Sequence, residues 1–260
     1  MSNSGKKITF VGISYSNSHL TKSAIDKIKN AKFIVGHEKF VEQVNNFIDS
    51  DATIADANFS LDEDFRVSRN KRIELSLNML DFCNEVVVLT SGDSGIFSTA
   101  GDFLYYFQEN CIDVDVDFIP GIPAYQIASS QLDGPLLDGF SLLPLCEDVK
   151  DKEEVRKNIN YISKSNLAIV LYKLRYNSEF MPNAYKKDLY PHMYPSKKKA
   201  FEQWCFLSDC LNENFRGECK AVLFDCVGTD HQKCIMSKVK DLPTLFEESS
   251  FNSLIIIYGK

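Results

Sequence analysis

The stretch Glu85-Val86-Val87-Val88-Leu89-Thr90-Ser91-Gly92-Asp93-Ser94-Gly95-Ile96-Phe97, EVVVLTSGDSGIF, sets the reading of the whole chain. Its first half is a short, unbroken apolar run rich in β-branched residues, which reads as a strand buried on both faces. Its second half is a small, singly acidic loop with two glycines. Glycine lets a backbone turn sharply and lets a ligand approach the main chain without meeting a Cβ. In open α/β sheets ligands sit outside the carboxyl ends of strands. The loop therefore reads as a ligand loop. A second reading is an ordinary strand-to-helix turn in which Ser91 or Asp93 caps a helix starting near Gly95.

Outward from this stretch, strand-like and helix-like patterns alternate. Lys7 to Gly12, Phe33 to Gly36, Ala52 to Ile54 and Val114 to Ile119 read as further strands. Between them the spacing predicts helices over Leu20 to Ala31, Phe40 to Phe47, Arg66 to Cys83 and Ser98 to Glu109. A β-α-β-α order implies a parallel sheet covered by helices. After FIPGIPAYQIASSQ, strands at Phe140 to Leu145, Leu167 to Tyr172, Ala221 to Phe224 and Leu254 to Tyr258, with a helix around Phe201 to Leu211, suffice for a second α/β unit. The expected division is residues 1–121 and 122–260.

Composition narrows the function. The chain has 260 residues, 44% of them hydrophobic and 25% charged. A formal net charge of −7 argues against a nucleic-acid binder driven by phosphate contacts. The charge is uneven, however: Lys150 to Lys199 holds 12 Lys and Arg against 5 Asp and Glu, a local field able to steer a polyanionic small substrate. Within it and just beyond, Tyr185, Tyr190, Tyr194 and Trp204 interleave with Lys186, Lys187 and Lys197 to Lys199. That mixture reads as a solvated loop with half-buried rings, as a site for the carboxylates of an acidic ligand, or as an RNA surface. The acidic run Asp62-Glu63-Asp64 reads as a solvated helix start. No signal-peptide core is visible and no apolar run approaches the roughly 18 residues needed to span a bilayer, so a cytoplasmic protein without membrane contact is expected. The eight cysteines are then reduced thiols. The spacing of Cys205, Cys210, Cys219, Cys226, His231 and Cys234 matches no zinc pattern, and no metal is expected.

Four short motifs stand at strand ends: Gly12-Ile13-Ser14-Tyr15-Ser16-Asn17, Ser91 to Phe97, Ile119-Pro120-Gly121-Ile122-Pro123-Ala124, and Val227-Gly228-Thr229. In this order, over essentially the whole chain, they resemble the tetrapyrrole methylase family, whose members transfer methyl from S-adenosylmethionine. HLT before the first helix, IVGHEKFVEQV and IVLYKLR bring the likeness nearest to members acting on a corrin-type tetrapyrrole. The resemblance implies two α/β domains, an N-terminal mainly parallel sheet and a C-terminal mixed sheet, with the cofactor in the cleft between them and usually a homodimer. It places S-adenosylmethionine against the backbone of Ser91, Gly92 and Asp93, with Ile96 beside it. Pro123 and Ala124 touch it from the domain junction, and Lys173 and Gly228 approach from the second domain. The implied partner is a small, acidic tetrapyrrole, not nucleic acid.

The departures carry information too. Where the family has G-x-G-P-G-D, this chain has Gly12 to Asn17, lacking two glycines, the proline and the acid. Tyr15 either stacks on a flat substrate or plugs the pocket. Ser94 replaces a proline, Pro123 a small hydroxylic residue, and Lys173 brings a positive charge. His37 falls where some relatives carry an acid assigned as proton acceptor, and an imidazole suits that role at neutral pH. It also reads as an ordinary exposed or hydrogen-bonded loop residue. The altered first loop keeps open a methylase of peptide backbone or another small molecule, and a non-catalytic binding relative.

Overall fold

The computed structural model describes residues 5–56, 65–146, 152–176 and 197–260. Asp62 to Asp64 and the Tyr185, Lys186, Lys187, Tyr190 and Tyr194 segment lie outside the described residues. The chain divides into two compact units, Met1–Ala124 and Tyr125–Lys260.

The first unit is built on strands β1 (Lys7–Ile13), β2 (Phe33–Gly36), β3 (Thr53–Asp56), β4 (Glu85–Ser91) and β5 (Asp115–Ile119), ordered β3-β2-β4-β1-β5 and parallel throughout. Helices α1 (Lys22–Asn30), α2 (Glu38–Val44), α3 (Phe65–Met79) and α4 (Ala100–Glu109) make the crossovers. The alternation of side chains along a strand explains the two layers. Ile8, Phe10, Val86 and Val88 point to one face and pack with Ile73 of α3 and Phe103 and Phe107 of α4. Val11, Ile13, Val87 and Leu89 point to the other and pack with Ala24 and Ile28 of α1 and Val44 of α2. Fully burying each such side chain contributes about 1.5–3 kcal/mol. Phe10 meets Phe103 edge-on, with ring centroids 5.0 Å apart.

One charged cluster pins the amino ends of the strands. The buried Thr9 donates its hydroxyl proton to Glu85 Oε1 at 2.6 Å, and Lys27 Nζ lies 2.6 Å and Lys7 Nζ 3.1 Å from the same oxygen. Burial alone would raise the Glu85 pKa; the donors from Lys27, Thr9 and Lys7 outweigh it and bring it to about 2.

The second unit begins with α5 (Ala124–Ser130), which starts on the last residue of the first. Its sheet comprises β6 (Phe140–Pro144), β7 (Ala168–Tyr172), β8 (Lys220–Asp225), β9 (Lys233–Lys238) and β10 (Ser253–Ile257), ordered β6-β7-β10-β8-β9. β6 and β7 are parallel and the other pairs antiparallel, so the sheet is mixed. Helices α6 (Lys152–Ser163) and α7 (Lys197–Glu213) and the 3-10 segment Val239–Glu248 enclose a core around Trp204.

Several local expectations are corrected. The helix after β4 starts at Ala100, not near Gly95 or at Ser98, because the Ser98 hydroxyl accepts from Ala100 N at 3.2 Å outside the helix. α3 ends at Met79, four residues before Cys83, in tight turns such as Phe82 N to Met79 O. Trp204 is no part of an accessible aromatic surface: it is fully buried, and its Nε1 donates to Leu174 O at 2.8 Å. The strand β9 and the helices α5 and α6 form where the sequence pattern predicts no element.

Candidate functional site

The loops after β1, β4 and β5 leave the same edge of the parallel sheet, since Ile13 is in register with Ser91 and Val11 with Ile119. Three glycines meet there. A Cβ on Gly12 would fall on the Gly92 carbonyl oxygen and 2.5 Å from Gly121 N; one on Gly121 would fall on that same oxygen and 2.6 Å from Gly12 C. Only glycine permits this approach of three backbones. Gly92 itself has φ of +63°, a left-handed conformation, and faces Pro123, whose Cα would lie 3.4 Å from an added Cβ. Gly92 N donates to Ile13 O at 2.6 Å.

Around this floor the loop shapes itself. Asp93 Oδ1 accepts from Gly95 N at 2.8 Å and Ile96 N donates to Asp93 O at 3.3 Å, so the carboxylate holds a turn of its own loop. Ser94, where the family motif has proline, is buried and donates its hydroxyl to Ile119 O at 2.9 Å. Thr21, which caps α1 by accepting from Ala24 N at 3.1 Å, donates to Pro120 O at 3.3 Å. The exit of β5 is thus tied to two loops by side chains. Ser91 and Gly95 are exposed, Asp93 and Ile96 half-buried and Gly92 buried.

The first loop is folded despite its missing glycines. Gln43 of α2 donates to Ser14 O. Ser16 caps the 3-10 turn Asn17–His19 by accepting from Ser18 N at 3.3 Å. Tyr15 is 40% exposed. His37 caps α2: its Nδ1 accepts from Lys39 N at 3.2 Å, and its ring lies 5.8 Å from that of Phe40. That bond puts the proton of a neutral ring on Nε2, so His37 can take up a proton only at Nδ1, by giving up the cap.

Residues 7–242 match the family model for tetrapyrrole (corrin/porphyrin) methylases. The chain belongs to the tetrapyrrole methylase family. It is 23% identical over 165 residues to a probable cobalt-factor III C(17)-methyltransferase of Methanothermobacter thermautotrophicus, a match covering 64% of this chain and 44% of that protein. It is 24% identical over 160 residues to the like-named protein of Salmonella typhimurium, covering 62% and 63%. The match therefore spans less than half of the first of these curated relatives and less than two thirds of the second. In fold it is similar to the crystal structure of the methyltransferase CobJ, with a TM-score of 0.70 at 18% identity over 98% of this chain and 94% of the other.

The second unit holds the remaining residues of the expected site. Gly228, with φ of +79°, lies over Ile127 of α5, whose methyl carbons would be 3.5 and 3.6 Å from an added Cβ. Its amide donates to Gln232 Oε1 at 2.8 Å, and Gln232 pairs with Gln131. Lys173, just past β7, is half-buried with φ of +50°, and its carbonyl accepts from Cys146 N at 2.7 Å. Tyr172 was not among the expected site residues, yet its hydroxyl accepts from Tyr125 N at 2.7 Å. The structure thus joins Gly92 to Pro123 in one unit and Gly228 to α5 in the other. All eight cysteines are free thiols, and among the described residues no cluster of His, Cys, Asp or Glu is arranged to hold a metal ion. Among the described residues no helix is long and apolar enough to cross a membrane.

Proposed function

We propose that this chain is an S-adenosylmethionine-dependent methyltransferase acting on a corrin-type tetrapyrrole, with a reaction like that of the precorrin-3B C17-methyltransferases of cobalamin biosynthesis. The observation that carries this reading is the convergence of Gly12, Gly92 and Gly121 at the carboxyl edge of a parallel sheet. It presents the SGDSGIF loop as a backbone surface with few protruding side chains, which suits a ligand with an adenosine and an amino-acid end. S-adenosylmethionine supplies an electrophilic methyl group on a sulfonium. The residues assigned to it are Ser91, Gly92, Asp93, Ile96, Pro123, Ala124, Lys173 and Gly228.

The protein's task in such a transfer is alignment and exclusion of water more than bond chemistry. Tyr15, at the carboxyl end of β1, offers a ring to a planar substrate, and aromatic stacking contributes about 0.5–1.5 kcal/mol beyond burial. His37 is the candidate acceptor for a ring proton. The positive surplus between Lys150 and Lys199 suits the carboxylates of an acidic tetrapyrrole. In this reading the enzyme works in the cytosol as a homodimer and needs neither nucleic acid nor a membrane.

The test is to incubate the protein with isotopically methyl-labelled S-adenosylmethionine and a panel of precorrins and cobalt-precorrins. Label in the tetrapyrrole with matching formation of S-adenosylhomocysteine is expected. No label in any member of the panel would contradict the reading.

A further inference from the structure

The amino end of α5 has a cap that does not come from its own chain neighbourhood. The first amides of a helix lack intrahelical partners, and a Ser, Thr, Asp or Asn before the helix usually satisfies one of them. Here the preceding residue is Pro123, which has no polar side-chain atom. The amide of Tyr125, the second helical residue and 8% exposed, instead donates to the Tyr172 hydroxyl at 2.7 Å from the last position of β7. That position is well anchored: Pro144 is its register partner, and Leu145 N donates to its carbonyl at 2.9 Å. The Tyr125 ring packs on those of Tyr172 and Phe140, at 6.5 and 5.3 Å between centroids.

We propose that Tyr172 is a positioning residue whose hydroxyl fixes the first turn of α5 and, through it, the Pro123-Ala124 segment that the proposed function assigns to the cofactor. The inference rests on that reading. Replacing the hydroxyl by hydrogen orphans a nearly buried amide. The cheapest relief is for the first turn to move toward water, which displaces Pro123 and Ala124 and leaves the sheet in place. The effect falls on cofactor affinity more than on global stability.

Tyr172→Phe should therefore raise the dissociation constant of S-adenosylhomocysteine about tenfold, equivalent to about 1.4 kcal/mol. It should raise the KM for S-adenosylmethionine alike and leave kcat at saturation near that of the parent. Phe140→Leu, which removes a ring contact and keeps the hydrogen bond, should lower Tm and leave that affinity within twofold. In the parent, hydrogen exchange should find the Tyr125 amide protected. A Tyr172→Phe affinity within twofold of the parent would overturn the proposal, as would an equal loss in Phe140→Leu. Free exchange at Tyr125 would overturn it whether or not the variants fold. If the parent binds no S-adenosylhomocysteine, the cofactor reading falls and this role with it, a result distinct from unequal affinities of parent and variant.

Discussion

Gly121 lies so close to Gly92 that the carbonyl oxygen of one occupies the space a side chain of the other would need. The contact joins two loops from strands on either side of β1 and leaves no room for even a methyl group. Gly121→Ala should cost at least about 2 kcal/mol by overpacking, seen as a fall of several degrees in Tm. Gly101 supplies the control: it is in α4, and an added Cβ meets nothing within 4 Å. Gly101→Ala should be neutral or stabilising by up to about 1 kcal/mol. Equal Tm values for the two variants would refute the close-packing argument.

Asp93 separates shape from charge. Its Oδ1 already accepts from Gly95 N, a bond an asparagine oxygen can also accept. Asp93→Asn should bind S-adenosylhomocysteine within about threefold of the parent, and Asp93→Ala about tenfold more weakly, by loss of the turn. Titration calorimetry on both checks this. An equal loss in both would mean that the charge itself meets the ligand.

His37 faces a choice between cap and base. As a cap it resembles asparagine, so His37→Asn should keep the parent's stability but, with the proposed proton acceptor removed, lose methyl transfer; transfer within about threefold of the parent would leave His37 a cap alone. His37→Ala should lose about 1 kcal/mol of stability. A positioned general base contributes about 10²–10⁴-fold, so a drop of that size in His37→Asn, with cofactor binding intact, would establish His37 as the proton acceptor.

Glu85 gives the fold a defined acid response. Its folded pKa of about 2 lies below the unfolded value of 4.5, so its contribution is present above pH 4.5 and disappears as the pH falls toward about 2. Glu85→Gln should have a lower Tm than the parent at pH 7, and the gap should close across that window. A gap independent of pH would show that the cluster around Thr9, Lys27 and Lys7 stabilises through packing alone.

The parallel sheet was legible because β4 and β1 are buried on both faces and read as continuous apolar runs, whereas β9 escaped notice for the opposite reason. Lys233 to Lys238 is an edge strand with mostly exposed side chains, so burial imposed no pattern on it. α5 was hidden by Pro123 before it and by the serines that end it, both of which suggest a loop. At the site, the glycines marked the loops because close approach demands glycine in the sequence itself. The ties from Ser94 to Ile119, Thr21 to Pro120, Gln43 to Ser14 and Tyr172 to Tyr125 join residues 25 to 99 positions apart. Only the folded chain brings such pairs together, and a lone Ser, Thr, Gln or Tyr carries no mark of its partner.

The most direct measurement is a calorimetric titration of the unmodified protein with S-adenosylhomocysteine, repeated with adenosine and with methionine. Saturable binding of S-adenosylhomocysteine with a stoichiometry of one per chain, much tighter than that of either fragment, is the expected result, since the site is assigned to a ligand with both ends. Absence of binding at millimolar concentration would contradict it and remove the cofactor from the SGDSGIF loop.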